Sequence, residues 1–136
     1  MGKIQITNSA LKVEKVSLRN CHLNDEKFQI KPILEKEIIK ESENKYTIYL
    51  SLSFKNLEAS PFPIDLTVVF SNMYEFSKVK DDNDILNFLN INAIQIVFPY
   101  MRTLVSSLTA SALMQPLMLP IINVKDFKHS KIKDKL

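Results

Sequence analysis

Cys21 and His22 stand side by side and carry the two groups of a thiol nucleophile and the base that would activate it. Their stretch reads as a β-strand, in which successive side chains point to opposite faces, so the two groups would not share a site. One cysteine and two histidines are also too few for a closed structural zinc site, and a single thiol forms no internal disulfide. The sequence therefore nominates no catalytic residue, metal site or cofactor.

Glycine is nearly absent, since Gly2 is the only one among 136 residues. Phosphate-binding loops, the dinucleotide-binding fingerprint and the nucleophile elbow all need glycine for close backbone approach or a positive φ. Nucleotide-driven activity is not expected, and an enzyme is the least favoured interpretation.

The net charge of +3 is concentrated at the C-terminus. Residues 125–136 (KDFKHSKIKDKL) hold five lysines and two aspartates, which leaves residues 1–124 with 13 basic and 13 acidic side chains. We predict a single domain over 1–124 and a flexible, lysine-rich tail over 125–136, with no nucleic-acid partner favoured. No apolar run reaches the length of a membrane-spanning helix and no secretory signal is visible, so we expect a cytoplasmic chain without stable membrane insertion.

Two segments show the period-two alternation of half-buried strands. Apolar side chains alternate with Thr47 and Tyr49 in residues 46–54, and with Asp65, Thr67 and Ser71 in residues 62–74. Both segments are therefore predicted to be strands of an antiparallel sheet.

Two upstream segments, 11–23 and 28–40, are less regular strands. The change of phase between Val13 and Val16 predicts a β-bulge, and Ile38 next to Ile39 suggests a second irregularity. Glu41 to Asn44 supplies a hairpin turn, so we predict four strands in meander order.

From about residue 84 the apolar spacing becomes helical. The stretch 81–84 offers N-cap candidates, Pro99 is expected to kink or restart the helix, and Gln115 before Pro116 should end it. The predicted fold class is α+β: a four-stranded antiparallel meander, then a long helix and a second short helix or apolar segment.

The string Phe98-Pro99-Tyr100-x-Arg102 lies within this helix, and a Pro-Leu-x-Leu-Pro strip follows it. With Met73-Tyr74-Glu75-Phe76 at the end of the last strand, residues 64–127 resemble the SecB family of export chaperones. The resemblance implies four antiparallel strands, two helices joined by an apolar loop, and a homotetramer built as a dimer of dimers. The chain departs from the family at Thr103, where an acid is usual, and at Ala112, where glycine commonly closes the helix.

The resemblance implies an ATP-independent holdase that binds unfolded polypeptides in hydrophobic surface grooves. It would serve protein export or act as the dedicated chaperone of a partner, such as the antitoxin of a toxin–antitoxin pair. Members of the family bind the SecA motor through acidic residues on the sheet. In this chain Thr67 and Ser71 stand on the outer face, and neither is acidic. A protein-interaction adaptor on the same scaffold is the alternative function.

The candidate client-binding residues are aromatic, methionine and leucine side chains, which bring large or adaptable contact areas. They are Phe62, Phe70, Tyr74, Phe98, Tyr100, Met114, Leu117, Met118 and Leu119. The regular spacing of Phe70 and Phe98 is equally consistent with their burial in the core. The residues from Met114 to Leu119 lie in a proline-broken segment that a monomer would expose, although a tetramer interface could also bury them.

Overall fold

The computed structural model describes residues 5–23, 28–77, 82–127 and 132–134. The strands in this part of the chain are β1 (Ile6–Asn20), β2 (Ile33–Ser42), β3 (Lys45–Phe54), β4 (Ile64–Phe76) and β5 (Ile132–Asp134). The helical stretch after β4 comprises α1 (Asp82–Asn87), a π-helical turn (Phe88–Asn92) and α2 (Ala93–Ser111). A 3-10 turn (Val124–Asp126) follows the apolar segment after α2. The predicted α+β chain, four antiparallel strands followed by a long helix, is confirmed.

The strand order in the sheet is β1-β4-β3-β2-β5. The predicted meander holds for β2, β3 and β4 but is wrong for β1, which pairs with β4 from Ile6 opposite Phe76 to Asn20 opposite Ile64. Residues 21–32 connect β1 to β2, and this length allows the chain to reach the far edge of the sheet, which a tight hairpin could not do.

The predicted β-bulge in β1 is confirmed. Val13 lies opposite Phe70 and Lys15 opposite Val69, so Glu14 is the extra residue that changes the phase. The second irregularity is not where it was predicted, because Ile38 and Ile39 pair in regular register with β3. The shift falls instead after Lys40, next to the hairpin turn.

One stripe of buried side chains in the helical stretch recurs every four residues, at Ile85, Leu89, Ala93, Val97, Met101, Val105 and Thr109, and Ile94 and Phe98 are buried beside it. An α-helix has about 3.6 residues per turn, so a strict spacing of four would carry these side chains around the helix axis. The π-helical turn takes up an extra residue, since the Ala93 N–H donates to the Phe88 carbonyl five residues earlier. More of the buried stripe therefore faces β3 and β4, against which α2 packs.

The start of the helical stretch is tied to the sheet. α1 begins at Asp82, and the Tyr46 hydroxyl donates to Asp82 Oδ1 at 3.4 Å. Asp81, another predicted N-cap candidate, lies outside the described residues.

The helix does not restart at Pro99, since α2 runs through it to Ser111 and stops before the predicted end at Gln115. In the turn that ends it, the Leu113 and Met114 N–H groups donate to the Ala110 and Thr109 carbonyls, each at 3.0 Å. Leu113 adopts a left-handed conformation with φ 62°. Glycine usually occupies this position, and a residue with a Cβ is disfavoured there by about 1 kcal/mol.

β5 pairs in parallel with β2, opposite Ile38 to Lys40, and Lys133 Nζ lies 3.6 Å from Glu37 Oε1. The segment predicted to be a tail thus contains this strand and most of the 3-10 turn, while Lys128, Lys131 and Lys135 lie outside the described residues. The division of the chain at residue 124 stays a prediction. Among the described residues, no helix has both the length and the apolar character needed to cross a membrane.

Candidate functional site

A groove with a cavity of about 500 Å³ opens where α2 ends, beside the start of β4. Its apolar lining consists of Leu23, Phe28, Phe62, Ile64, Met114 and Leu117. Asn20, His22, Thr109 and Gln115 add hydrogen-bonding groups, and Pro63 and Leu113 also line the groove. Among the lining residues that the structure describes, none is Asp, Glu, Lys or Arg. We call this cavity the helix-end groove.

Stacked aromatic rings support the floor of the helix-end groove. Phe62 lies in the loop before β4, and its ring stacks on Phe54 with centroids 4.9 Å apart and an interplanar angle of 10°. Phe28 meets Phe62 edge-on at 6.1 Å. Because Phe54 is the buried end of β3, the rings connect the groove to the core of the domain.

A short hydrogen-bond chain fixes the loop that carries Phe62. The Phe62 N–H donates to Asn56 Oδ1 at 3.1 Å, and the Asn56 N–H donates to Asp65 Oδ1 at 2.8 Å. The Cys21 N–H donates to the Pro63 carbonyl at 2.9 Å, and its thiol donates to Asp65 Oδ2 at 3.6 Å. The Cys21 thiol is thus bonded to a carboxylate on β4, while His22 lines the groove.

The wall after α2 is held by Thr109, which is buried. The Leu117 N–H donates to Thr109 Oγ1 at 2.8 Å, and this hydroxyl donates to the Val105 carbonyl at 2.9 Å. Farther along, Leu119 and Phe127 are buried, and Phe127 meets Phe98 edge-on at 6.5 Å. These contacts fasten an otherwise irregular segment to the helix.

Between these anchors, the segment leaves large apolar side chains in solvent. Leu113 is 96% exposed, Ile121 95% and Met118 63%. Apolar side chains exposed close together commonly mark a binding surface. Of these, Leu113 lines the helix-end groove, whereas Met118 lies beside α2, where the Ser106 hydroxyl donates to its sulfur at 3.6 Å.

The structure divides the nine predicted client-binding residues into three groups. Phe62, Met114 and Leu117 line the helix-end groove. Tyr100 and Met118 are exposed elsewhere, on α2 and on the segment after it. The remaining four are buried in the hydrophobic core: Phe70, Tyr74, Phe98 and Leu119.

Other groove residues were not anticipated from the sequence. His22, Leu23 and Phe28 reach the groove because the chain passes beside β4 after β1, a placement that no local pattern encodes. The sequence did contain a clue to Leu113. Because Gly2 is the only glycine, the long helix must end with another residue type in the position that glycine usually takes.

The helix-end groove is suited to binding apolar groups. Its described lining contains no Asp, Glu, Lys or Arg, and the buried Thr109 hydroxyl is already bonded to α2 and Leu117. In the described part of the chain, no three side chains of His, Cys, Asp or Glu are grouped so as to hold a metal ion. The arrangement provides a pocket for apolar side chains with hydrogen-bonding groups beside it.

Comparisons with known proteins place this chain in a family. The family model described as Preprotein translocase subunit SecB matches residues 7–135. The uncharacterized protein MJ0357 of Methanocaldococcus jannaschii is 30% identical over 124 residues, covering 89% of this chain and 79% of that protein. The chain therefore belongs to the SecB family.

A solved structure agrees with this assignment at the level of fold. The Mycobacterium tuberculosis Rv1957 SecB-like chaperone, in complex with a ChAD peptide from the Rv1956 HigA1 antitoxin, aligns with a TM-score of 0.67. The sequence identity is 12%, and the alignment covers 88% of each chain. The fold is that of a SecB-like chaperone.

Proposed function

We propose that this chain is a cytoplasmic, ATP-independent holdase chaperone that binds non-native polypeptides in the helix-end groove. The observation that carries the proposal is the groove itself, whose described lining combines large apolar side chains with polar groups and includes no Asp, Glu, Lys or Arg. Met118 and Ile121, in the segment that follows, are also exposed. Such a surface binds unfolded chains through many weak apolar contacts and stabilises them by mass action, which requires no nucleotide.

A dedicated client is the more specific version of this function. The solved SecB-like chaperone of the same fold holds a peptide from an antitoxin. We propose that an extended segment of a client, such as an antitoxin, occupies the helix-end groove here. Export through SecA has less support, because Thr67 and Ser71 stand on the outer face of β4, and Ser71 Oγ is bonded to Glu14 Oε2 at 3.3 Å.

Two exposed apolar surfaces support assembly as a dimer of dimers. β1 pairs with β4 on one side only, and its Leu11, Val13 and Val16 are exposed on the side of the sheet where the helix packs. Long apolar edge strands are normally covered, and a second copy would do so by antiparallel pairing. Ile96 and Tyr100, one turn apart on the exposed side of α2, offer a second self-complementary surface.

The proposed function is tested by light scattering on a sizing column, with and without a reduced, permanently unfolded model protein. We expect a tetramer of about 63 kDa, from four chains of 15.7 kDa, that co-elutes with the unfolded protein and ignores its folded form. Adding ATP should change neither result. A monomer that ignores both forms would contradict the holdase, and binding restricted to one folded partner would support the adaptor instead.

A positive charge on the β1 edge is expected to split the tetramer into dimers. Val13→Lys places a lysine where two edge strands would pair, and edge lysines prevent such pairing. Because Val13 is exposed in the single chain, stability should change by only about 0.5 kcal/mol. Light scattering should therefore report a dimer, and circular dichroism should show that it remains folded. Leu57→Lys, at an exposed site in the loop before β4, is the control and should remain a tetramer.

A further inference from the structure

Two residues hold a left-handed backbone beside the same cavity. Within the described residues, His22 (φ 56°) and Leu113 (φ 62°) are the non-glycine residues with positive φ. One follows β1 and the other follows α2, yet both line the helix-end groove. Backbone conformations that disfavour a side chain are concentrated at binding sites, where the surrounding structure enforces them.

Local hydrogen bonds enforce both conformations. The His22 N–H donates to Asn20 Oδ1 at 2.8 Å, directly after the bond from Cys21 to Pro63. Leu113 is fixed by the two hydrogen bonds of the helix-ending turn. Glycine would make either turn without steric conflict between a Cβ and the backbone.

The Leu113 side chain contributes little to the fold. At 96% exposure it has almost no contact with the rest of the domain, and its backbone position disfavours any residue with a Cβ. A leucine at this position therefore weakens the folded state and presents an apolar group to solvent beside the groove. Its exposure beside the groove leaves it available to a bound segment.

We propose that Leu113 and His22 determine which client binds in the helix-end groove. Together they contact one bulky apolar side chain of an extended, uncharged segment of the client. Leu113 supplies apolar contact, and the imidazole of His22 supplies a hydrogen-bonding nitrogen for the client backbone. The described lining contains no Asp, Glu, Lys or Arg, which disfavours a charged segment, since its charges would lose water without gaining partners there. A cavity of about 500 Å³ fits one or two large side chains and not a folded surface. This inference rests on the proposed holdase function.

The test measures the affinity of labelled peptides for the full chain by fluorescence anisotropy. The peptides are uncharged and identical except for a central Phe, Ser or Asp. The wild type should prefer Phe over Ser and reject Asp. Leu113→Ala and Leu113→Gly should each weaken Phe-peptide binding roughly fivefold to tenfold, the loss expected when part of a leucine contact is removed. His22→Ala should weaken it severalfold.

Two comparisons separate the side chain from the backbone. Leu57→Ala truncates an exposed leucine that lies outside the groove and should leave affinity unchanged. Leu113→Gly should unfold a few degrees above Leu113→Ala, because only glycine relieves the left-handed conformation. Lower affinity in a more stable variant would assign the effect to the lost side chain.

Several outcomes would overturn the inference. Wild-type affinity in both Leu113 variants would show that the residue does not select clients. If Leu113→Ala binds weakly and Leu113→Gly binds like the wild type, the effect comes from the backbone and not from the side chain. Equal affinity for the Phe and Ser peptides would show that the groove does not bind an apolar side chain of the client. Failure of the wild type to bind any unfolded chain would instead contradict the holdase function itself.

Discussion

Phe62→Ala is expected to lower the free energy of unfolding by about 3–5 kcal/mol, the range for truncating a buried phenylalanine. Phe62 stacks on Phe54, meets Phe28 edge-on and supports the floor of the helix-end groove. Its removal deletes both ring contacts and leaves a cavity that the loop, held by Asn56, cannot easily fill. The measurement is a urea titration, with the slope compared between variants to verify that the same surface unfolds.

Leu57→Ala is the control for Phe62→Ala, because it truncates an apolar residue of the same loop that is 52% exposed. It should change the unfolding free energy by only about 0.5 kcal/mol. An equally small effect of Phe62→Ala would show that the aromatic stack does not hold the loop to the core.

The second large effect is a loss of stability in alkali that depends on Tyr74. Burial raises the pKa of Tyr74 from 10.0 to about 12. The folded chain therefore holds the phenolic proton more tightly than the unfolded chain, and this stabilisation is complete below pH 10. As the pH rises from about 10 to 12 it is lost, and it amounts to about 2 kcal/mol.

Tyr74→Phe isolates this loss, because it removes the hydroxyl and keeps the ring against Phe76 and Phe88. At pH 9 it should be less stable than the wild type by about 1–3 kcal/mol, since Asn72 Nδ2 loses its buried acceptor. The difference should shrink toward pH 12. Both proteins retain Tyr46, whose pKa burial raises, and Lys36, whose pKa burial lowers, so their effects cancel.

The measurement compares denaturant midpoints of the wild type and Tyr74→Phe at several pH values between 9 and 12. Tyr49→Phe changes a tyrosine on the other face of the sheet and should follow the wild type. Parallel curves for the wild type and Tyr74→Phe would show that Tyr74 does not cause the alkaline loss.

Local periodicity was sufficient to predict β3, β4 and most of the helical stretch. The alternation from Tyr46 to Phe54 depends only on which side chains face the helix, and those side chains are buried as expected. The position of β1 beside β4 was not predicted, because a strand pattern does not identify its partner. The π-helical turn was missed for a related reason, since a spacing of four is close enough to the α-helical period to be read as such.

The groove was harder to predict than the fold. Phe62, Met114 and Leu117 line it, and the proline-broken sequence around the last two had indicated an exposed apolar segment. Phe70, Tyr74, Phe98 and Leu119 have the same residue types, but they fill the core. Residue type and spacing therefore do not separate an aromatic side chain in the core from one in a groove. His22 and Phe28 join the groove only through tertiary contacts.

The pairing of β5 with β2 bears on how far the sheet can grow. An open sheet with two free edges can add copies without limit and form a fibril, whereas a sheet with one free edge stops at a pair. β5 covers the outer edge of β2 only from Ile38 to Lys40, whereas β1 leaves its outer edge unpaired along its length. Two copies joined through β1 would cover both of these long edges at once. The short strand β5 would then limit strand addition over part of the opposite edge.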